Sequence, residues 1–234
     1  MGHKVHPTIH RTPFVYTWDS KWFARKEQMP LYLKQEIGIR ELLAVKLKEA
    51  GVDAISIERT PKDVAITILV AKPGVVIGRS GQSLDILRKE IERKFLKGKL
   101  KVKLNIQPVR NPALSAQLIA QNAVSEIERR LPFRRVMKQT IEKVMAAGAQ
   151  GVKINMAGRL NGVEIARRET LSAGKMSLIT IRSDVDYAFT EAHTIYGKIG
   201  VKVWVYHGQT FGRRDKFEQR ADKTERRNNK RDWK

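Results

Sequence analysis

A short glycine-rich segment of the sequence combines the residue types that can hold a nucleic-acid backbone. Gly78-Arg79-Ser80-Gly81 follows an apolar segment and precedes a stretch with helical periodicity. Glycine removes the side chains that would block a close approach, and the free amides at the start of a helix can face a phosphate. We therefore predict a nucleic-acid site formed by this loop and its neighbours: Lys72, Gly78, Arg79, Ser80, Gly81, Gln82 and Arg88.

The glycine spacing alone is weak, because a chain with sixteen glycines should contain about one G-x-x-G by chance. Gly148–Gly151 and Gly197–Gly200 have the same spacing, but each is predicted to end a helix and lead into a strand, as a C-cap does. Only Gly78–Gly81 leads toward a helix, although a simple turn is an alternative interpretation. We expect aspartate at Gly78 or Gly81 to weaken RNA binding without unfolding the chain.

A second group of cations is predicted on one helix, in the segment Phe133–Lys138. At about 100° per residue, Arg134 and Lys138 lie about 40° apart, with Arg135 beside them. The apolar side chains of the helix group on the other side: Met137, Ile141 and Val144. This pattern predicts a helix that packs through its apolar side and exposes a compact cationic side. An ordinary solvated face is the alternative.

The N-terminal segment is basic and carries three histidines, His3, His6 and His10. A metal clamp is the less favoured interpretation of these histidines, because no acidic residue lies near them in the sequence. Contacts with phosphates or bases are favoured instead. The residues predicted to contact RNA from this arm are Lys4, His6 and Arg11.

The sequence contains no complete catalytic constellation. It has no Walker loop, no H-E-x-x-H and no G-x-S-x-G. Asp184 and Asp186 alternate on a predicted strand, but no third acid or histidine partner completes a nuclease site. His193 follows Glu191 in a predicted helical stretch and is interpreted as a packing or RNA-contact residue. We therefore predict a protein that is not an enzyme and that needs no cofactor or metal.

The charge balance indicates a polyanionic partner. The 234 residues include 46 Lys and Arg against 24 Asp and Glu, which gives a formal net charge of +22. Such a charge is costly through self-repulsion unless a polyanion neutralises it, and nucleic acid is the usual one. The charge is not gathered on one amphipathic helix, which disfavours a membrane surface. The absence of cysteine, of a membrane-spanning run and of a signal peptide predicts a soluble intracellular protein.

Periodicity and turn residues divide the chain into five segments. They are a basic arm (1–28), a first domain (29–108), a linker (109–112), a second domain (113–207) and a basic tail (208–234) that is predicted to be disordered. The first domain begins with a helix after Pro30, predicted from spaced apolar residues: Leu33, Ile37, Leu42, Val45 and Leu47. The second domain is predicted to contain two helices and then strands near residues 152–156, 163–165, 179–185 and 201–205. The first two of these strands should pair as a hairpin.

Several long segments resemble one known family. They are residues 1–7, 18–23, 72–81, 151–154, 158–167, 184–187 and 191–204. In the first, Met-Gly-x-Lys-x-His-Pro matches the opening of the S-three family of small-subunit ribosomal proteins, and the whole resemblance spans residues 1–208. The chain departs from many family members at Arg79-Ser80, where two basic residues are common.

The resemblance implies an α+β protein with a type II KH domain, of element order α-β-β-α-α-β, followed by an α/β domain. The second domain would pack two helices on a mainly antiparallel four-stranded sheet. A KH domain clamps about four nucleotides with its G-x-x-G loop. The resemblance also implies a place in the cytoplasmic ribosome, in the head of the small subunit, bound to ribosomal RNA.

In that position the chain would line the channel through which messenger RNA enters, and Arg134, Arg135 and Lys138 match the family's basic residues linked to messenger unwinding. Neighbouring head proteins would resemble S-ten and S-fourteen. Two alternatives stay open from the residues: a free KH-type RNA-binding regulator outside the ribosome, and an RNA-processing enzyme. Co-sedimentation with small subunits separates the first from the ribosomal interpretation.

Overall fold

The computed structural model describes residues 4–12, 14–78, 81–96 and 100–212. The chain divides into two units, of which the first comprises residues 16–109. The second comprises residues 110–212 and the N-terminal residues up to 15, which include helix α1 (Pro7–Arg11). The two units therefore divide the predicted arm between them, and the chain passes from one to the other inside the predicted linker. No helix of the described residues is long and apolar enough to cross a membrane.

The described part of the first unit combines a four-stranded sheet with three α-helices. Its elements are β1 (Ser20–Lys21), α2 (Met29–Lys46), β2 (Val52–Arg59), β3 (Asp63–Val70), α3 (Pro73–Ile77), α4 (Gln82–Lys94) and β4 (Lys101–Pro108). The strand order is β1-β2-β3-β4, with β2 antiparallel to β3 and the other two pairs parallel. From α2 to β4 the order is α-β-β-α-α-β, which confirms the predicted KH topology.

In the first unit, the residues buried in β3 are those that the alternation predicts. The side of α2 that packs on the core is not the predicted one. Val64, Ile66, Ile68 and Val70 are all buried in β3. In α2 the buried residues are Glu36, Ile39 and Leu43, whereas the predicted stripe includes three exposed residues: Leu33, Ile37 and Val45. Glu36 faces inward because its carboxylate accepts hydrogen bonds from the Ser20 hydroxyl, the Trp22 indole and the Arg40 guanidinium. A count of apolar residues cannot detect a helix side that is anchored by a carboxylate.

The second unit packs two helices on one face of an antiparallel sheet. Its remaining elements are α5 (Ala116–Glu128), α6 (Phe133–Ala146), β5 (Gly151–Gly158), β6 (Arg167–Gly174), β7 (Ser183–Thr194) and β8 (Gly197–Gln209). The strand order is β6-β5-β8-β7. Inward side chains of β5 and β8, such as Ile154 and Val203, form one core with the helices, to which Val136 and Met137 belong. The predicted α+β fold is therefore confirmed in this half as well.

The predicted hairpin forms, but its second strand begins later than the sequence predicts. β6 occupies residues 167–174 and not 163–165, and Ile165 is exposed. The reason is a short 3-10 turn at Leu160–Gly162, in which Asn161 has a left-handed φ of 59°. The turn lengthens the connection before the chain pairs again with β5.

The last two strands also differ from their predicted positions. The residues before Ser183 lie outside β7, which continues to Thr194 and so places His193 on a strand and not on a helix. Gly197 begins β8 after a tight turn, so the segment Gly197–Gly200 does not end a helix. β8 continues to Gln209, one residue past the predicted start of the basic tail. Residues 213–234, which contain most of that tail, lie outside the described residues.

Candidate nucleic-acid interface

Backbone hydrogen bonds fix the segment between β3 and α3, and α3 leads directly into the glycine loop. The amides of Ala71 and Lys72 donate to the carbonyls of Gly51 and Ala50, at 2.8 and 3.0 Å. Pro73 then occupies the first turn of α3, where its missing amide costs no hydrogen bond, and the buried Val76 fixes this short helix on the core. The loop therefore starts from a rigid support.

The two glycines of the loop have different structural requirements. Gly78 has φ 68° and ψ −169°, a region that is essentially restricted to glycine, and a Cβ there would collide with the Ser83 hydroxyl. Gly81 has φ 77° and ψ 2°, and a Cβ there would meet no atom within 4 Å. The expectation that aspartate is tolerated at either position is therefore wrong for Gly78. The middle residues, Arg79 and Ser80, lie outside the described residues.

Helix α4 starts directly after the loop and presents its first amides there. Its N-cap is Gly81, and no side chain of the described residues caps it. The buried Leu87 and Ile91 hold the helix on the sheet, while Gln82 at its start is exposed. Uncapped amides at a helix start carry partial positive charge, so this end of α4 can accept a phosphate oxygen.

The predicted cations beside the loop lie at the surface. Lys72 is exposed. Arg88 is also exposed, and its guanidinium lies 3.8 Å from the Glu92 carboxylate, which is too long for a strong ion pair. Both side chains are therefore available to a polyanion, although Arg88 lies nearly two turns beyond Gln82.

Three exposed apolar residues flank the loop and were not indicated by the motif. They are Val75 and Ile77 in α3 and Ile86 in the first turns of α4. Exposed apolar side chains next to a phosphate-binding loop offer contact to the flat faces of unstacked bases. The periodicity of α4 could have indicated that Ile86 is exposed, since Ile86 lies away from the side of the helix that carries the buried Leu87 and Ile91.

The cationic cluster on α6 has the predicted orientation. Met137 and Val144 are buried and fix the helix, while Arg134, Arg135 and Lys138 are exposed. Within the part of the chain that is described, neither Arg135 nor Lys138 forms an ion pair. These two cations are available for a phosphate.

Arg134 has a partner that the sequence does not indicate. Its Nε and Nη2 donate to the two carboxylate oxygens of Glu169 on β6, at 3.1 and 2.9 Å. These hydrogen bonds lower the pKa of Glu169 and raise that of Arg134. Glu169 therefore remains a carboxylate at neutral pH and neutralises one charge of the cluster. Arg167, two residues before Glu169, is exposed and adds a cation nearby that the sequence analysis missed.

Arg11 does not contact RNA from the arm as predicted, because its side chain is completely buried. Its guanidinium donates to the backbone carbonyls of Pro7, Leu178 and Thr180 at 3.0, 2.8 and 3.0 Å. The planar fork of arginine suits such a set of acceptors. Arg11 instead ties α1 to the segment before β7.

The other two residues of the arm that were predicted to contact RNA lie at the surface. Lys4 is exposed. His6 packs edge-on against the Tyr187 ring with centroids 4.6 Å apart, and partial burial lowers the pKa of His6 below its ordinary value. In the free protein His6 is therefore mostly uncharged at neutral pH, so it is better suited to donate or accept a hydrogen bond than to supply a positive charge. Among the described residues, which exclude His3, no group of three or more His, Cys, Asp and Glu side chains could hold a metal ion.

The carboxylate pair on β7 has a structural role. Asp184 is buried, and a register shift separates it from Val185, so it does not share a face with Asp186. The Asp186 carboxylate accepts a hydrogen bond of 2.8 Å from the Ala116 amide at the start of α5. A carboxylate at a helix N-terminus is a stabilising arrangement, so Asp186 is explained without a nuclease site.

The first unit has the element order and the glycine loop of the RNA-binding KH class. A KH domain family model matches residues 38–114, and a model described as Ribosomal protein S3, C-terminal domain, matches residues 124–205. The small ribosomal subunit protein uS3 of Xanthomonas euvesicatoria is 48% identical over 211 residues, which cover 90% of this chain and 85% of the relative. The protein of the same name from Burkholderia thailandensis is 46% identical over 231 residues, 97% of this chain and 86% of the relative.

The chain therefore belongs to the ribosomal protein S3 family. Membership confirms the resemblance inferred from the motifs and the prediction of a structural protein that is not an enzyme.

Proposed function

We propose that the chain is a structural component of the small ribosomal subunit head that binds ribosomal RNA and lines the channel through which messenger RNA enters. The two RNA contacts of this proposal rest on different elements. The glycine loop and the start of α4 hold ribosomal RNA, and Lys4 adds a contact from the arm. The basic cluster of α6 contacts messenger RNA. The observation that carries this part is the exposure of Arg135 and Lys138 on one helix face, where neither forms an ion pair with a described residue.

The loop can be tested at Gly81, where the structure leaves room for a side chain. Asparagine and aspartate both tolerate a left-handed backbone, so Gly81→Asn and Gly81→Asp differ mainly in charge. We expect Gly81→Asp to weaken binding of a short single-stranded RNA about tenfold relative to Gly81→Asn, because a carboxylate would repel phosphate at the helix start. Fluorescence anisotropy with labelled RNA measures the ratio. Equal affinities of the two variants would exclude the loop as the clamp.

The messenger contact can be tested in reconstituted ribosomes. Replacing Arg134, Arg135 and Lys138 with alanine preserves helix propensity and the buried side of α6, so the variant should fold. We expect such ribosomes to translate unstructured messages at a normal rate and to slow at stable hairpins placed where the messenger enters. The measured quantity is the ratio of elongation rates on messages with and without the hairpin. If this ratio equals that of unaltered ribosomes, the cluster is only a solvated face.

Protein neighbours in the head form the third part of the proposal. Exposed apolar residues on α2, including Ile37 and Val45, together with Phe23, suit a protein contact better than an RNA contact. We infer that head proteins resembling S-ten and S-fourteen are the neighbours, on the basis of the family resemblance. Cross-linking mass spectrometry of purified small subunits identifies them. Failure of the chain to co-sediment with small subunits at moderate salt would favour the free KH-type regulator.

A further inference from the structure

The sheet of the second unit has a face that neither α5 nor α6 covers. Alternation along the strands places Val152, Ile154 and Met156 of β5 on the helix side, so their neighbours in sequence point the other way. The paired positions on that open face combine aromatic and basic side chains: Lys153 with Trp204, Asn155 with Lys202, Tyr187 with Trp204, and Phe189 with Lys202. We call these residues the open sheet face.

The aromatic rings on this face form a connected group. The Tyr187 and Trp204 ring centroids are 5.3 Å apart, and the His6 ring packs on Tyr187 from the arm. Phe189 lies on the same strand two residues beyond Tyr187 and is 49% exposed. Tyr187 and Trp204 are half-buried, and His6 covers one edge of Tyr187, whereas Phe189 is exposed. An exposed ring in line with two half-buried rings offers a flat apolar surface to a ligand.

Lysines stand beside these rings. The Lys153 ammonium lies 5.6 Å from the Trp204 ring centroid, and the Lys202 ammonium lies 5.6 Å from that of Phe189. Lys198 and Arg168 extend the positive charge along the face. Glu191 contributes a negative charge to the same face and pairs with Lys198 at 2.8 Å. The charge of the face is therefore clearly positive.

We propose that the open sheet face is a second RNA-binding surface, on which two or three unstacked bases of a single strand stack on Phe189, Tyr187 and Trp204 while lysines neutralise the phosphates. Base–aromatic stacking on a four-stranded sheet is an effective way to hold single-stranded RNA. A protein partner fits less well, because lysine is depleted in the buried cores of protein interfaces. The surface lies on the opposite side of the sheet from the α6 cluster, and the glycine loop belongs to the other unit.

The test uses the full chain carrying Gly81→Asp, which weakens the proposed clamp, and a uridine oligonucleotide that contains 5-iodouridine. We expect photo-crosslinks to the peptides with Tyr187 and Trp204. The double variant Lys153→Gln/Lys202→Gln should reduce the slope of log affinity against log salt by about 1.4, the value for two phosphate contacts with a single strand. Phe189→Leu keeps an apolar side chain but loses the ring, and we expect it to weaken binding about tenfold, within the range for one stacked base.

Lys143→Gln is the matched control, because this exposed lysine lies on α6, on the helix-covered side of the sheet. The proposal is wrong if the double variant has the salt slope of Lys143→Gln, or if crosslinks occur only within residues 72–94. It is also wrong if, in purified small subunits, Lys153 and Lys202 cross-link to another protein and the face gives no RNA crosslink. Because every variant carries Gly81→Asp, a difference between the double variant and Lys143→Gln cannot come from the glycine loop.

Discussion

The two units carry their exposed positive charge in different ways. In the first unit, the proposed binding element is backbone: two glycines and the first amides of α4, which no described side chain caps, with Lys72 and Arg88 exposed nearby. In the second unit, long side chains carry the charge, and protein groups compete for them. The Arg11 guanidinium donates its hydrogen bonds to backbone carbonyls, and Arg134 is paired with Glu169. Arg135, by contrast, is not paired within the described residues.

This difference shows that an arginine in the sequence is not equivalent to a free cation. The guanidinium fork fits a carboxylate or a set of carbonyls as well as it fits a phosphate. Its availability therefore depends on the partners that the fold supplies. The backbone site has the opposite property: it depends on φ and ψ, so it is specified by glycine positions and cannot be neutralised by a neighbouring carboxylate in the same way.

The largest effect should follow from removing the buried arginine. Arg11→Ala leaves the carbonyls of Pro7, Leu178 and Thr180 without their donor, and buried unsatisfied groups cost about 1–3 kcal/mol each. Allowing for water that enters the site, we expect a loss of about 3 kcal/mol and a fall of about 10 °C in the melting temperature of the second unit. Scanning calorimetry measures this change.

The matched control is Lys4→Ala, which removes a cation from the same arm at an exposed position. We expect no measurable change in melting temperature for this variant. A melting temperature of Arg11→Ala equal to that of Lys4→Ala would show that α1 does not dock on the second unit in solution. The comparison between a buried and an available cation would then fail.

A smaller effect should distinguish the two glycines of the loop. Gly78→Asn must adopt a backbone region reserved for glycine and also displace the Ser83 hydroxyl, so we expect a loss of about 2 kcal/mol. Gly81→Asn meets open space in a left-handed conformation that asparagine tolerates, so its loss should be under about 1 kcal/mol. Urea unfolding gives both values, and Gly74→Ala, with no atom near its Cβ, is the control. Equal losses at Gly78 and Gly81 would contradict the described backbone.

The sequence was sufficient to predict the order of helices and strands in both units and the side on which α6 packs. Strict alternation in β3 and a clear apolar stripe in α6 reflect local periodicities that the fold preserves. The buried side of α2 could not be predicted, since Glu36 anchors it through Ser20 and Trp22, which lie on a separate segment. The same limitation applies to any helix whose buried face is held by a polar contact, because apolar periodicity does not show that face.

In the candidate sites, too, local features could be predicted from the sequence, and features that depend on distant segments could not. The direction of the glycine loop is a local property, and it was predicted correctly from the residues around it. The states of Arg11 and Arg134 depend on partners far along the chain, on the segment before β7 and on β6. The start of β6 was itself misplaced because of the left-handed Asn161, so the ion pair with Glu169 could not be foreseen.

A still smaller effect should separate the cations of α6 from one another. Each phosphate contact with a single strand contributes about 0.7 to the slope of log affinity against log salt. We expect Arg135→Ala to lower the slope by about this amount and Arg134→Ala by less, because Glu169 already occupies Arg134. Glu169→Gln should free Arg134 and increase the slope. Identical slopes for the two arginine variants would show that phosphate displaces Glu169 readily, as is common for an exposed ion pair.

The smallest effect concerns pH and the contact between His6 and Tyr187. Burial lowers the pKa of His6, so the folded protein binds the proton less well than the unfolded chain, whose histidines titrate near pH 6.5. By linkage, the contribution of this contact to stability is fully present above about pH 6.5 and is lost as the pH falls through the lower folded pKa. The arm should therefore undock slightly on acidification, and His6→Phe should remove this dependence because phenylalanine cannot be protonated. NMR titration of the imidazole signals measures the pKa directly, and exchange of the amides in α1 between pH 7.5 and pH 5.5 reports docking. A pKa of His6 at or above 6.5 would mean that the imidazole is solvated in solution and that its contact with Tyr187 does not bury it.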